Sequence, residues 1–292
     1  MADAGVKTYR GNCHCKAFVY EVDIPEFKSV GECNCSYCTK MGILWVYDAH
    51  PDSLRIVKGS QDDLASYNFG SGFATHKFCP ICTTHLMCVA PNAAPKRQLS
   101  LNARAIQNFD PWDAKRETLD GACWGSSYQA PKYTGPEPTA NIENGKVYHG
   151  SCHCGAVTLA VKTAPLDKDY PDSVLECGCS ICLKNGYIWL YTKVDQVAVQ
   201  GEEDLGTYSF GANVLNKTFC KKCGVNLTNQ GAKLSEEEIA ALPDNLQRRW
   251  KYMTKVHRPI NLRVLNGYNI KDIKEPEKLT WAKGYEPQYV DP

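Results

Sequence analysis

The residues with the most chemistry in this chain are its cysteines, 16 in 292 residues. Most fall into six clusters. Cys13-His14-Cys15, Cys33-Asn34-Cys35-Ser36-Tyr37-Cys38 and Cys79-Pro80-Ile81-Cys82 come first; Cys152-His153-Cys154, Cys177-Gly178-Cys179-Ser180-Ile181-Cys182 and Cys220-Lys221-Lys222-Cys223 repeat the series. Such spacings place thiolates within reach of one ion, and soft thiolates suit zinc. A structural zinc closes its tetrahedron with four ligands. Cys13, Cys15, Cys79 and Cys82 make one such set, and Cys152, Cys154, Cys220 and Cys223 the other. Each would staple the start of its copy to a late hairpin. The remaining clusters, Cys33, Cys35 and Cys38 with Cys177, Cys179 and Cys182, supply three local ligands each. A fourth position is then left for water or a substrate sulfur, the layout of a catalytic zinc. The expectation is up to four Zn²⁺ per chain.

Two other readings of the same cysteines stand beside this one. Iron–sulfur ligation is open to three- and four-cysteine clusters. The three-cysteine sites could also be structural, completed by a histidine. His14 and His153 lie inside Cys-His-Cys and could simply shape the turn, whereas His76 and His85 have no histidine counterparts in the second copy. Trp45, Tyr47, Trp189 and Tyr191 read either as core aromatics or as pocket walls. Cys88 and Cys123 read as free thiols with no metal role. No other nucleophile–base constellation and no glycine-rich phosphate loop stands out.

The elements that must position these groups come as a duplication. The offset is 139 from Cys13 to Cys152, 144 from Cys33 to Cys177 and 141 from Cys79 to Cys220. Asn102 and Arg104 return as Asn261 and Arg263 at an offset of 159, so the second copy carries 18 more residues after its last cysteine pair. A repeat this long is a duplicated domain, since solenoid units are far shorter. The copies are expected at 5–125 and 145–285, joined across 126–144 by a Pro- and Gly-containing surface connector. Residues 18–22, 43–47, 54–57, 157–161, 187–191 and 196–199 are rich in β-branched and aromatic residues and predict strands in small, mainly all-β units. In the insert, Ser235-Glu236-Glu237-Glu238 predicts a capping box and a short helix, broken by Pro243, with Asp244 capping a second one that ends near Tyr252.

Composition narrows the partners. Lysine plus arginine is 33 against 32 acidic residues, a net charge of +1, which argues against a nucleic-acid binder. No apolar run is long enough to span a bilayer. The N-terminal residues lack the pattern of a signal peptide, so the expected setting is cytoplasmic, where thiols stay reduced and cysteine clusters are more often metal-binding than disulfide-bonded.

The motifs resemble those of the glutathione-dependent formaldehyde-activating enzyme and centromere protein V domain family. The order is Gly-x-Cys-His-Cys-Gly, Cys-x-Cys-Ser-x-Cys, Phe-Cys-x-x-Cys-Gly and Asn-x-Arg. The second copy matches throughout: Gly150 to Gly155, Cys177 to Cys182 with Gly186, Phe219 to Gly224, and Asn261 to Arg263. The first copy departs at Lys16 and Thr83, where the family has glycine. The resemblance implies two tandem zinc-bound, mostly β, sandwich-like domains and a carbon–sulfur lyase that joins glutathione and formaldehyde reversibly. It implies a catalytic zinc on Cys33, Cys35 and Cys38 and on Cys177, Cys179 and Cys182, with structural zinc on the outer four cysteines of each copy. The expected partner is a small-molecule thiol adduct or glutathione conjugate, with glutathione as co-substrate, and neither nucleic acid nor membrane. The alternative is a non-catalytic zinc-stabilised protein- or chromatin-binding module. Because glycine loss can reshape a metal-knuckle turn, and because the helical insert could cover a substrate, the second copy is expected to carry most turnover.

Overall fold

The computed structural model describes residues 5–124, 127–284 and 288–292. It is mostly β, and the chain divides into two compact units. One runs to Tyr128 and includes Ser180–Gly186 and Val290–Pro292; the other comprises Gln129–Cys179 and Tyr187–Tyr289.

Each copy builds one three-stranded and one seven-stranded sheet. In the first copy the small sheet runs Val6–Asn12, Val19–Pro25, Leu54–Lys58, all antiparallel. Along its middle strand Tyr20, Val22 and Ile24 are buried while Glu21 and Asp23 stand half-exposed, the period-two alternation of a sheet with one covered face. The large sheet is ordered Lys115–Leu119, Ser29–Cys33, Trp45–Ala49, Leu99–Asn102, His85–Val89, Thr75–Phe78, Ala65–Tyr67. The second copy repeats both orders, with Lys146–Ser151, Thr158–Thr163 and Val197–Gln200 in the small sheet. Its large sheet runs Leu205–Ser209, Leu215–Cys220, Asn226–Gly231, Ile260–Asn261, Trp189–Leu190, Val174–Cys177, Glu277–Leu279.

One feature of this topology positions the site. The last strand of each copy joins the large sheet in parallel, and its end is in register with the first cysteine of the three-cysteine cluster: Leu119 with Cys33, Leu279 with Cys177.

Several sequence expectations are refined. The segment 126–144 is not simply a surface connector. Tyr133 and Ala140 are buried, the Tyr133 hydroxyl donates to the carbonyl of Pro136, and the Ala140 amide donates to Asp195. Burial of these two side chains, with the Ala140 hydrogen bond, holds the segment on the second unit. In the insert, Ser235 and Glu238 form the reciprocal cap of helix Glu236–Ala240. Asp244 is the first residue of helix Asp244–Lys251 and not its cap, because Pro243 already holds the extended cap position. The helix then widens into a π-helical turn, Tyr252–Val256. Among the described residues no helix is long and apolar enough to cross a membrane.

Candidate metal centres

The four-cysteine sets assemble as the spacing predicts. Cys13, Cys15, Cys79 and Cys82 form one group that could hold a metal ion, and Cys152, Cys154, Cys220 and Cys223 another. Cys15 Sγ lies 3.5 Å from both Cys13 Sγ and Cys79 Sγ; Cys154 Sγ lies 3.6 Å from both Cys152 Sγ and Cys220 Sγ. Four thiolates around a zinc stand about 3.8 Å apart, given Zn–S bonds near 2.3 Å. A disulfide would need about 2.05 Å, and no cysteine is disulfide-bonded. Backbone amides turn toward the sulfurs: Phe18 N–H donates to Cys13 Sγ and Val157 N–H to Cys152 Sγ, both at 3.3 Å. Such N–H···S bonds suit a thiolate better than a thiol.

At the knuckle turns, Lys16 and Thr83 stand where loss of glycine can reshape the backbone, and both adopt the left-handed backbone of their glycine counterparts. Their φ values are 63° and 54°, against 83° for Gly155 and 73° for Gly224. The first copy keeps the turn and bears the steric cost of a side chain there, about 1–2 kcal/mol per residue.

The three-cysteine groups also form: Cys33, Cys35 and Cys38, and Cys177, Cys179 and Cys182. Cys33 ends a strand, and the next two cysteines enter a short helix, Ser36–Met41, that the sequence reading missed. Ser180–Asn185 is its counterpart. The helix signal was a basic residue in the last turn followed by glycine. Gly42 and Gly186 close these helices at φ 66° and 64°. Cys35 is the N-cap, its sulfur accepting the Cys38 N–H at 3.5 Å.

The thiols of the first cluster are electrostatically linked. Hydrogen bonds from Cys35 and Cys38, then the amides of Cys35 and Gly121, hold Cys33 well below the usual thiol range. Cys35 is raised chiefly by Cys33, and Cys38 by Cys33 and Cys35 together with burial. Three thiols this close favour holding negative charge on one sulfur, and such a set gives up protons to a bound cation. Gly121 follows the parallel edge strand, and a Cβ there would come within 2.4 Å of Cys33 Sγ. Glycine is what lets its amide approach that sulfur.

Outside the cysteines, Trp45 Nε1 donates to Cys38 Sγ at 3.3 Å. The indole is both a buried aromatic and a fixed donor to the cluster. Asn102 Oδ1 accepts from the amides of Leu44 and Arg104, and its Nδ2 donates to the His85 carbonyl. Asn261 does the same with Ile188, Arg263 and Asn226. Arg104 Nε donates to the Gly42 carbonyl at 2.8 Å, pinning the end of the helix that carries Cys38. The Asn-x-Arg motif therefore positions the cluster. No histidine belongs to any of the four groups. His14 Nε2 meets Ser180 Oγ, and His76 Nδ1 meets His85 Nε2 at 2.9 Å. Cys88 and Cys123 lie outside the four groups. A cavity of about 350 Å³ is lined by residues including Trp45, Tyr47, Gly31 and Leu119; none of Cys33, Cys35 and Cys38 is in its lining.

Paired thiol clusters on a duplicated two-sheet unit define a cysteine-rich, metal-competent class of domain. The chain belongs to the glutathione-dependent formaldehyde-activating enzyme family, whose model matches residues 8–118 and 147–255, one copy after the other. A crystal structure of a Rhodobacter sphaeroides protein is similar over 44% of this chain and 98% of its own, at 26% identity and a TM-score of 0.32. At that score it carries no structural argument.

Proposed function

We propose that this protein is a zinc-dependent carbon–sulfur lyase that forms or cleaves the C–S bond of a glutathione or other thiol adduct. The reading rests on one observation above others: in each copy three thiols converge at the end of a strand and the start of a helix, with no fourth ligand in the group among the described residues. A zinc ion bound there would supply a Lewis acid that holds a substrate sulfur as thiolate at neutral pH.

The chain's own groups would do the rest. Cys33, Cys35 and Cys38, and in the second copy Cys177, Cys179 and Cys182, hold the reacting centre; the outer four cysteines of each copy hold a structural ion. Trp45 and the Gly121 amide fix two of the sulfurs. The Tyr47 hydroxyl is buried without a hydrogen-bond partner among the described residues, and burial keeps it protonated. It lines the cavity and lies near enough to the cluster for the thiols of Cys33 and Cys38 to act on it, a place from which it would donate to the hydroxyl oxygen of a hemithioacetal. In the synthetic direction the thiol adds across a carbonyl: the C–S bond forms and the thiol proton ends on oxygen. The reducing cytosol is the setting we assign, since sixteen cysteines without a disulfide persist there.

The test is release of free thiol from S-hydroxymethylglutathione by zinc-loaded protein. The expected result is acceleration over the spontaneous rate that is lost when Cys35 and Cys179 are both changed to serine. A protein that accelerates no glutathione adduct overturns the reading.

A further inference from the structure

The second copy buries a cation that no described group neutralises. Lys217, in strand Leu215–Cys220, is 7% exposed. Its ammonium lies 4.7 Å from the centroid of the Trp189 ring and 5.9 Å from that of Tyr187. Among the described residues it has no carboxylate at ion-pair distance and no hydrogen-bond acceptor. Aromatic faces recover only part of what an ammonium loses on leaving water. Its register partner across the hairpin, Asn229, is also buried, and Asn229 Oδ1 has no hydrogen-bond partner among the described residues. Turned about its bond, that amide offers an N–H at the same place. An unpaired ammonium beside an unpaired amide matches the needs of a carboxylate.

The first copy shows what this pair borders. At the offset of 141 residues, Lys217 corresponds to His76 and Asn229 to Cys88, and His76 and Cys88 are likewise register partners. Trp45, the counterpart of Trp189, lies 5.9 Å from the His76 ring and donates to Cys38 Sγ. This hairpin position therefore adjoins the three-cysteine cluster. In the first copy it holds no fixed cation. His76 and His85 share a hydrogen bond there, and burial keeps His85 neutral.

We propose that Lys217 and Asn229 form a carboxylate subsite beside the second copy's three-cysteine centre, and that the first copy lacks one. The proposal rests on the lyase reading only for the sulfur end of the ligand. The second copy would then act on the thiol adduct of an aldehyde that itself bears a carboxylate, a 2-oxo acid, and the first on the adduct of a small neutral aldehyde. The addition needs no co-reactant: sulfur bonds to the carbonyl carbon, and the thiol proton goes to its oxygen.

The experiment compares two uncleavable thioethers, S-carboxymethylglutathione and S-methylglutathione, by calorimetric titration of the zinc-loaded full chain. The native protein is expected to bind the carboxymethyl form about tenfold or more tighter. Lys217→Met should abolish the preference, and Lys217→Arg should keep most of it. No preference in the native protein, or a preference that survives Lys217→Met, overturns the subsite. So does loss of zinc from Lys217→Met with the preference intact, which would make Lys217 a counter-charge to the thiolates. A preference that depends on Lys217 in a protein that turns over no adduct would support the subsite and sink the lyase reading, so the two fail separately.

Discussion

Lys16 and Thr83 stand in the first copy where Gly155 and Gly224 stand in the second, and all four residues share a left-handed backbone. Near the three-cysteine clusters the contrast runs the other way. The cysteines are retained, but His76, His85 and Cys88 face Lys217, Asn226 and Asn229 at matching positions. At the four-cysteine knuckles, side chains changed while the geometry stayed, because four sulfurs within reach of one ion over-determine the turn. Beside the three-cysteine groups, the polar chemistry changed while the ligands stayed. Duplication has kept what the fold needs and altered what a ligand would meet.

The largest effect should separate the two kinds of cluster. Cys220→Ser, which breaks a four-cysteine set, should cost more than about 5 kcal/mol in denaturant unfolding, since structural zinc binding is folding free energy. Cys179→Ser should leave the second unit folded. Equal losses would erase the distinction. Next comes the division of labour between copies. Cys35→Ser should cut turnover of a formaldehyde adduct at least about tenfold, and Cys179→Ser that of a carboxylated adduct by as much. One variant abolishing both activities would make one copy the sole working site.

A smaller effect is pH-dependent. Burial first, and His76 second, hold the folded pKa of His85 well below its usual value. The unfolded chain then binds the extra proton, so the contribution of neutral His85 is present above about pH 6.5 and lost as pH falls below it, at up to about 1.4 kcal/mol per pH unit. His85→Asn, which installs the second copy's residue, should flatten the first unit's stability between pH 6.5 and 4.5 relative to the native chain. An unchanged slope would show that His85 is protonated in the folded state. The smallest effect sits in the knuckles. Lys16→Gly and Thr83→Gly should each stabilise the first unit by about 1 kcal/mol or less, the relief of the left-handed backbone being offset by glycine's greater unfolded freedom. Gly224→Thr should destabilise the second. Destabilisation by Lys16→Gly would mean that the lysine side chain makes a contact worth more than its strain.

Much of this was legible in the sequence because ligation and burial write local patterns. Cysteine spacing assigned the four groups, and alternation located most strands to within a few residues. The short helices at Ser36–Met41 and Ser180–Asn185 escaped because six residues carry too little periodicity to show. Arg104 and Trp45 stood out in the sequence but their roles did not, and Gly121 did not stand out at all. Their roles depend on contacts with residues distant in sequence, or on a ring orientation, that no spacing encodes. Lys217 looked like one more lysine in a strand until its burial and its aromatic neighbours were known.

Cys35 has a consequence beyond chemistry. Its sulfur belongs to the cluster and also holds the first-turn amide of a helix too short to persist by itself. Ligation and local order are thereby one equilibrium. Stripping the ion should let the helix fray, and the hydrogen-exchange protection of the Cys38 amide should fall in step with occupancy. That single amide would serve as an internal gauge of how full the first open centre is, readable without any substrate.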